Sequence, residues 1–232
     1  MIEFQHVYKT YPGPVHALKD VHFKIAKGEF VFLTGPSGAG KTTIFKMISA
    51  YDSLSSGELQ IGDYKVSELT TKELPLYRRK LGIVFQDYKL LKNKTVFDNI
   101  SLPLIIQKER DSYTQRRVRE VLDQVGLFHK KEQFPESLSG GEQQRVAIAR
   151  AIIHQPGILI ADEPTGNLDP ELSEEIIDLF EKISAQGTTV FIATHDQTLV
   201  KKKNKRNIHI QNGSLVQIGS FVQNGSFEAK SL

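Results

Sequence analysis

Residues 30–42 read FVFLTGPSGAGKT, an apolar run that breaks into a glycine-rich turn ending in Lys41 and Thr42. Outward from this stretch the rest of the chain falls into place. Phe30 to Leu33 have the length and composition of a short buried strand, and Thr42 to Ala50 carry the periodicity of a helix. The turn between them, GPSGAGKT at 35–42, matches the spacing G-x-x-x-x-G-K-[ST]. Glycines at 35, 38 and 40 let the backbone curl so that its N–H groups point inward, and a helix N-terminus adds a partial positive charge. The pattern therefore predicts an anion site. The backbone of Gly35, Pro36, Ser37, Gly38, Ala39 and Gly40 cradles phosphate oxygens, Lys41 reaches the outer phosphates of a nucleotide, Thr42 offers a hydroxyl to Mg²⁺, and Thr43 reaches the innermost phosphate. A glycine-rich turn with no ligand is the bland alternative, and it leaves the flanking strand and helix unexplained.

On either side the hydrophobic period alternates. Ile2, Phe4 and Tyr8 alternate with polar positions, and after the YPGP turn at 11–14 a second alternating stretch runs from Leu18 to Ile25. On this pattern Tyr8 packs into the core. A strand near 81–85 ends at Gln86. Residues 112–126 are charged and helix-periodic, with Val118, Val121, Leu122 and Val125 on one side. Strand, helix, strand then follow at 158–161, 170–185 and 188–193, the alternation of a parallel sheet with helical crossovers. The expectation is one α/β domain over residues 1–232. It has a parallel-sheet core, a small antiparallel β subdomain and a helical insert at about 88–150. A short polar tail, about 213–232, holds the tandem VQIGSF (216–221) and VQNGSF (222–227), read as a strand followed by a loose end.

Two further motifs add chemistry. Residues 158–163, ILIADE, end an apolar strand in two acids, at the sheet edge where open α/β folds bind ligands. Asp162 is placed to hold Mg²⁺, and Glu163 to polarise an attacking water as general base. Alone this pattern describes any solvated strand end; with the glycine-rich loop it gains meaning. Residues 138–142, LSGGE, have a plain reading, because Ser139 and Glu142 are spaced as a capping box. That reading does not explain Gly140 and Gly141, which weaken a helix. Two bare N–H groups at a helix N-terminus make a second anion site, facing a phosphate held by another copy of the chain.

The order GPSGAGKT, Gln86, LSGGEQQR, ILIADE, NLD and His195 resembles the ATP-binding cassette ATPases over essentially the whole chain. LSGGE is the specific element. The resemblance implies a P-loop NTPase core that binds ATP with Mg²⁺ and closes as a homodimer. Gln86 looks like the family's glutamine that touches the metal or the water, and Asp169 in Asn167-Leu168-Asp169 like the residue that reaches across the dimer. His195 looks like the histidine that contacts the γ-phosphate. Tyr11 resembles the aromatic that stacks on adenine, in preference to Tyr8. The wording at 74–82, 84–104 and 160–170 is similar to the cell-division branch of the family, which partners an integral membrane protein and drives peptidoglycan hydrolysis outside the cell. Lipoprotein-release and macrolide-export cassettes share much of it.

Composition sets the outer bounds. The chain has 232 residues, 30 basic and 27 acidic, for a net charge of +3. So balanced a chain offers no nucleic-acid footprint. It has no cysteine, which excludes a disulfide framework. The first ten residues lack the apolar core of a signal peptide, and no apolar run approaches the ~18 residues that span a bilayer. The expected location is cytoplasmic, peripheral on the inner face of the membrane through a partner. The apolar positions around Tyr88 and Leu91 are read as part of the surface that receives that partner. A soluble cassette acting on DNA or ribosomes is the first alternative, a GTPase or small-molecule kinase the second. For the latter, Asn-Lys-x-Asp is absent and LSGGE would have no purpose.

Overall fold

The computed structural model describes residues 1–13, 15–221 and 227–229. Strands β1 (Ile2–Tyr11) and β2 (Val15–Ile25) precede β3 (Phe30–Thr34) and helix α1 (Lys41–Ile48). Then come β4 (Ser56–Ile61), β5 (Tyr64–Lys65), α2 (Leu74–Arg78) and β6 (Leu81–Val84). A helical stretch follows, with α3 (Val96–Ile106), α4 (Asp111–Gln124) and α5 (Gly140–Ile152). The chain returns through β7 (Ile158–Asp162), α6 (Pro170–Ala185), β8 (Thr189–Thr194) and α7 (Gln197–Lys203). It closes with β9 (Arg206–Gln211), β10 (Ser214–Phe221) and β11 (Phe227–Ala229).

The main sheet runs β11-β10-β9-β3-β8-β7-β6, and β9, β3, β8, β7 and β6 are mutually parallel. Its centre is buried on both faces, and the period of two decides which side chain goes where. Phe30, Phe32, Leu159, Ala161, Val190 and Ile192 join the core shared with α3 to α6. Val31, Leu33, Ile158, Ile160, Phe191 and Ala193 join a second core, made with α1 and the antiparallel sheet β2-β1-β4-β5. The loops after β3, β7 and β8 therefore open at the same carboxyl edge, which is where an α/β sheet takes its ligand.

Three expectations need correction. Tyr8 is not core: it is 41% exposed, and Val7 is fully buried instead. The cause is a bulge between Phe4 and Val7, where His6 adopts φ 48° and the inward phase moves from even to odd positions. The strand before Gln86 stops at Val84, so Gln86 belongs to the following loop. In the tail, VQIGSF lies in β10 as expected, but the end is not wholly loose, since β11 pairs antiparallel with β10 from Phe221↔Phe227 to Gly219↔Ala229. The rest of the second hexapeptide, 222–226, lies outside the described residues.

Candidate functional site

The glycine-rich loop is shaped by what stands behind it. A Cβ at Gly35 would sit 2.1 Å from the Ile210 carbonyl oxygen of β9, so no other residue fits. Gly40, the N-cap of α1, has φ 112°, and a Cβ there would lie 2.8 Å from the Leu18 side chain. The Gly213 N–H donates to the Ala39 carbonyl at 3.0 Å, tying the loop to the turn between β9 and β10. Ser37, Gly38, Gly40, Lys41, Thr42 and Thr43 face an open cleft of roughly 600 Å³. Tyr11, His16 and Ala17 from the β1–β2 hairpin also wall it, as do Gln86, Glu163 and His195 from the loops after β6, β7 and β8. Gly35 and Ala39 are buried behind that wall, and Pro36 is exposed.

Charge is concentrated where β3 and β7 end. Lys41 Nζ, almost fully buried, donates to the carbonyls of Gly35 (2.8 Å) and Pro36 (3.2 Å) and lies 3.4 Å from Glu163 Oε1. The other oxygen of Glu163 accepts from the His195 backbone N–H at 3.3 Å and is 2.7 Å from His195 Nδ1. Glu163 itself sits at φ 49°, in a left-handed conformation that an L-residue adopts only at a cost of order 1–2 kcal/mol. Its N–H donates to Ala193 of β8 at 2.9 Å, which helps to hold that conformation.

Asp162 differs from its neighbour. Burial, reinforced by the Glu163 charge, pushes its carboxyl above the usual range, while the Thr42 hydroxyl and the Lys41 and Lys46 ammonium groups offset part of the rise. Its Oδ1 is buried with no hydrogen-bond partner. A buried anionic oxygen with a free lone pair, beside a threonine hydroxyl, is what a hard cation with oxygen ligands requires. The residues present therefore fit Mg²⁺.

Tyr11 is fixed by residues that sequence reading did not single out. Its hydroxyl donates to Asp52 Oδ2 at 2.5 Å. Asp52 Oδ1 is 2.5 Å from the buried Lys9 Nζ, which also donates to the Ser53 carbonyl and lies 4.8 Å from the Tyr11 ring centroid. Burial, then the Asp52 carboxylate, raises the Tyr11 hydroxyl pKa. One wall of the cleft is thus an aromatic face held at its polar end. Lys9 and Asp52 are 43 positions apart, and nothing local marks them as a pair. His16, in the YPGP-side wall, was equally silent.

The LSGGE segment stands apart from this cleft. Ser139 caps α5 with the reciprocal bonds of a capping box, its hydroxyl accepting from the Glu142 N–H while Glu142 accepts from the Ser139 N–H at 2.9 Å. Lys130 pairs with Glu142 and holds that carboxyl below the usual range, aided by the Ser139 N–H. A Cβ at Gly140 would lie 3.3 Å from the Tyr88 hydroxyl, and one at Gly141 would lie 3.3 Å from the Leu172 side chain of α6. Asp169 caps α6, accepting from the Leu172 N–H at 2.9 Å. Within one chain, then, the structure gathers Tyr11, the loop, Gln86, Asp162, Glu163 and His195, and leaves Ser139 to Glu142 and Asp169 outside the cleft.

A parallel sheet core with a glycine-rich loop after β3, two acids at the end of β7 and a histidine after β8 defines a phosphate-loop nucleotide-binding protein. The family model described as ABC transporter matches residues 18–166. The cell division ATP-binding protein FtsE of Bacillus subtilis (strain 168) is 49% identical over 217 residues, covering 94% of this chain and 95% of that protein. FtsE of Escherichia coli (strain K12) is 46% identical over 215 residues, 93% and 97% of the two chains. Among solved structures, the ATP-binding cassette MJ0796 in a dimeric post-hydrolysis state bound to ADP and Pi superposes with a TM-score of 0.86. It is 36% identical and covers 95% of this chain and 98% of that one. The chain belongs to the ABC transporter family, as an ATP-binding cassette ATPase.

Proposed function

We propose that the chain is the ATP-hydrolysing subunit of a membrane complex in cell division. It would close as a homodimer on Mg-ATP and move an FtsX-like integral membrane protein that controls peptidoglycan hydrolysis. The observation that carries the catalytic part is the meeting of Lys41, Glu163 and His195 at the carboxyl edge of the sheet. The likeness to FtsE over more than nine-tenths of the chain carries the cellular part. Among the described residues no helix is long and apolar enough to cross a membrane, so contact with the bilayer would come through the partner. No nucleic acid is expected to bind.

In this reading ATP lies along the cleft, with adenine on the Tyr11 ring, a contact worth about 1–3 kcal/mol that tolerates other bases. The loop N–H groups from Gly35 to Gly40 hold the phosphates, and Thr43 holds the innermost one. Lys41 leaves the Gly35 and Pro36 carbonyls and Glu163 for the outer phosphates. That exchange releases Glu163 to take the proton of a water attacking the γ-phosphorus, as the bond to the β–γ bridging oxygen breaks and ADP leaves. His195 contacts the γ-phosphate and steadies Glu163. Thr42, Asp162 and Gln86 would hold Mg²⁺, which neutralises phosphate charge when bound. Ser139, Gly140, Gly141 and Glu142, outside their own cleft, would close the cleft of a second copy, with Asp169 reaching across.

Asp162→Asn separates stability from function. The substitution keeps the shape and removes a charge whose burial is unfavourable. Without nucleotide the variant should melt a few degrees above the parent, since each kcal/mol is worth roughly 2–4 °C at this size. The rise in melting temperature caused by Mg-ATP should largely disappear. A variant that keeps the full Mg-ATP shift would remove Asp162 from the metal site.

The cellular assignment is tested by replacing the chromosomal allele with one encoding Glu163→Gln. Cells should elongate and fail to divide, while lipoproteins still leave the membrane normally. Normal division with lipoproteins retained would instead support the lipoprotein-release reading.

A further inference from the structure

Gln86 lies in a loop whose far end is fastened to the helical side of the molecule. Arg150, in the last turn of α5, donates from Nη1 to the Lys89 carbonyl and from Nη2 to the Tyr88 carbonyl, both at 2.7 Å. Among the described residues it has no carboxylate partner, so this fork is spent on two consecutive carbonyls. Those carbonyls belong to residues in the left-handed region, Tyr88 at φ 59° and Lys89 at φ 49°. Two successive non-glycine residues rarely stay there without an outside hold.

Helix α3 adds a second attachment. The buried Asn99 accepts the Leu91 N–H at 2.8 Å and donates to the carbonyls of Leu91 (3.0 Å) and Thr95 (2.9 Å). On the cleft side, Gln86 Nε2 lies 3.4 Å from where a Cβ on Gly166 would be, so the amide points toward the loop that carries Glu163. Helix α5 begins at Gly140 and spans 13 residues, a rod about 20 Å long with the LSGGE segment at one end and Arg150 at the other.

We propose that Arg150 is a positioning residue for the reaction: its fork fixes the left-handed Tyr88–Lys89 turn, so that Gln86 keeps its place in the cleft and moves with the LSGGE end of α5. The inference rests on the role proposed above for Gln86. Lysine cannot replace the fork, because a point ammonium does not hold two carbonyls in fixed geometry. Glycine at 89, by contrast, tolerates φ 49° unaided and should make the clamp partly dispensable. Lys89 is exposed and its side chain pairs with Asp87 at 2.6 Å, away from the cleft, so its removal leaves the cleft untouched.

The experiment uses the full chain, steady-state ATP hydrolysis and equilibrium binding of Mg-ATP. Arg150→Met should lower kcat about tenfold with ATP affinity within about twofold, since displacement of a group by an ångström can cost more than that. Arg150→Lys should show the same split. Lys89→Gly alone should resemble the parent, and adding it to Arg150→Met should restore most of the lost kcat. In a Gln86→Ala background Arg150→Met should cost nothing further, the non-additivity of two changes acting through one group. An equal loss with and without Gln86, no rescue by Lys89→Gly, or a lowered melting temperature with unchanged kcat would each reduce Arg150 to a structural tie. If Gln86→Ala hydrolyses ATP normally, the role of Gln86 falls and this inference with it; if Gln86→Ala is impaired and both Arg150 variants are not, only the inference falls.

Discussion

Glu163→Gln protein should bind Mg-ATP and hydrolyse it roughly 10²–10⁴ times more slowly than the parent, the usual loss when a general base is removed. The amide keeps the size of the side chain and can still meet His195 Nδ1, but it cannot take a proton from water. Two features of this site shape the expectation. Glu163 is engaged on both oxygens, by Lys41 at 3.4 Å and by His195 at 2.7 Å. Replacing it therefore frees Lys41 as well, and ATP affinity should hold or rise. If the LSGGE segment of one copy closes the cleft of the other, the variant should accumulate as an ATP-bound dimer in size-exclusion chromatography with Mg-ATP. Rapid hydrolysis by this variant would remove Glu163 as the base. A variant that stays monomeric at high concentration with ATP bound would count against the shared site.

Much of this was legible because the physics was local. The loop needs glycine at 35 and 40 for close approach and backbone sign, and GPSGAGKT displays that need directly. The strands β3, β7 and β8 are short, continuously apolar runs because both faces are covered, and they read as such. The capping boxes of α3 and α5 lie within four residues of chain, although only that of α5 was picked out in the sequence. What the sequence hid depends on distance or on a break in phase. One bulge at His6 reversed the burial of Tyr8 and Val7. The Lys9–Asp52–Tyr11 set and the Arg150 fork join positions about 40 to 60 residues apart. The apolar stretch after Gln86 divided as the two demands on it require. Val96 and Leu104 are buried in the core, while Leu91, together with Ile105 and Ile106 farther along α3, is exposed.

Lys41→Ala should abolish measurable turnover, because removing a positioned electrostatic donor typically costs about 10²–10³ in rate. The loss should be felt first in binding of the outer phosphates. Among the described residues that line the cleft, Lys41 is the only lysine or arginine, and its Nζ now rests on Gly35 and Pro36. Near-normal steady-state hydrolysis would defeat the assignment of the loop. The same variant also tests whether two chains share each site. Ser139→Arg fills the space beside the two bare glycine N–H groups and should be inactive too, although its own cleft is intact. In a heterodimer of the two variants, the cleft that has lost the Lys41 ammonium faces the segment blocked by the substitution at Ser139. The other cleft keeps both of its normal halves. Mixing the two inactive proteins should therefore restore part of the activity. A covalently linked dimer sharpens the test: one change in each half should leave one whole site, whereas both changes in the same half should spoil both. Were each site contained within one chain, that order would reverse, and mixing would restore nothing because every cleft would carry one defect. If neither linked form turns over, either the sharing of sites or the turnover of a single whole site is wrong.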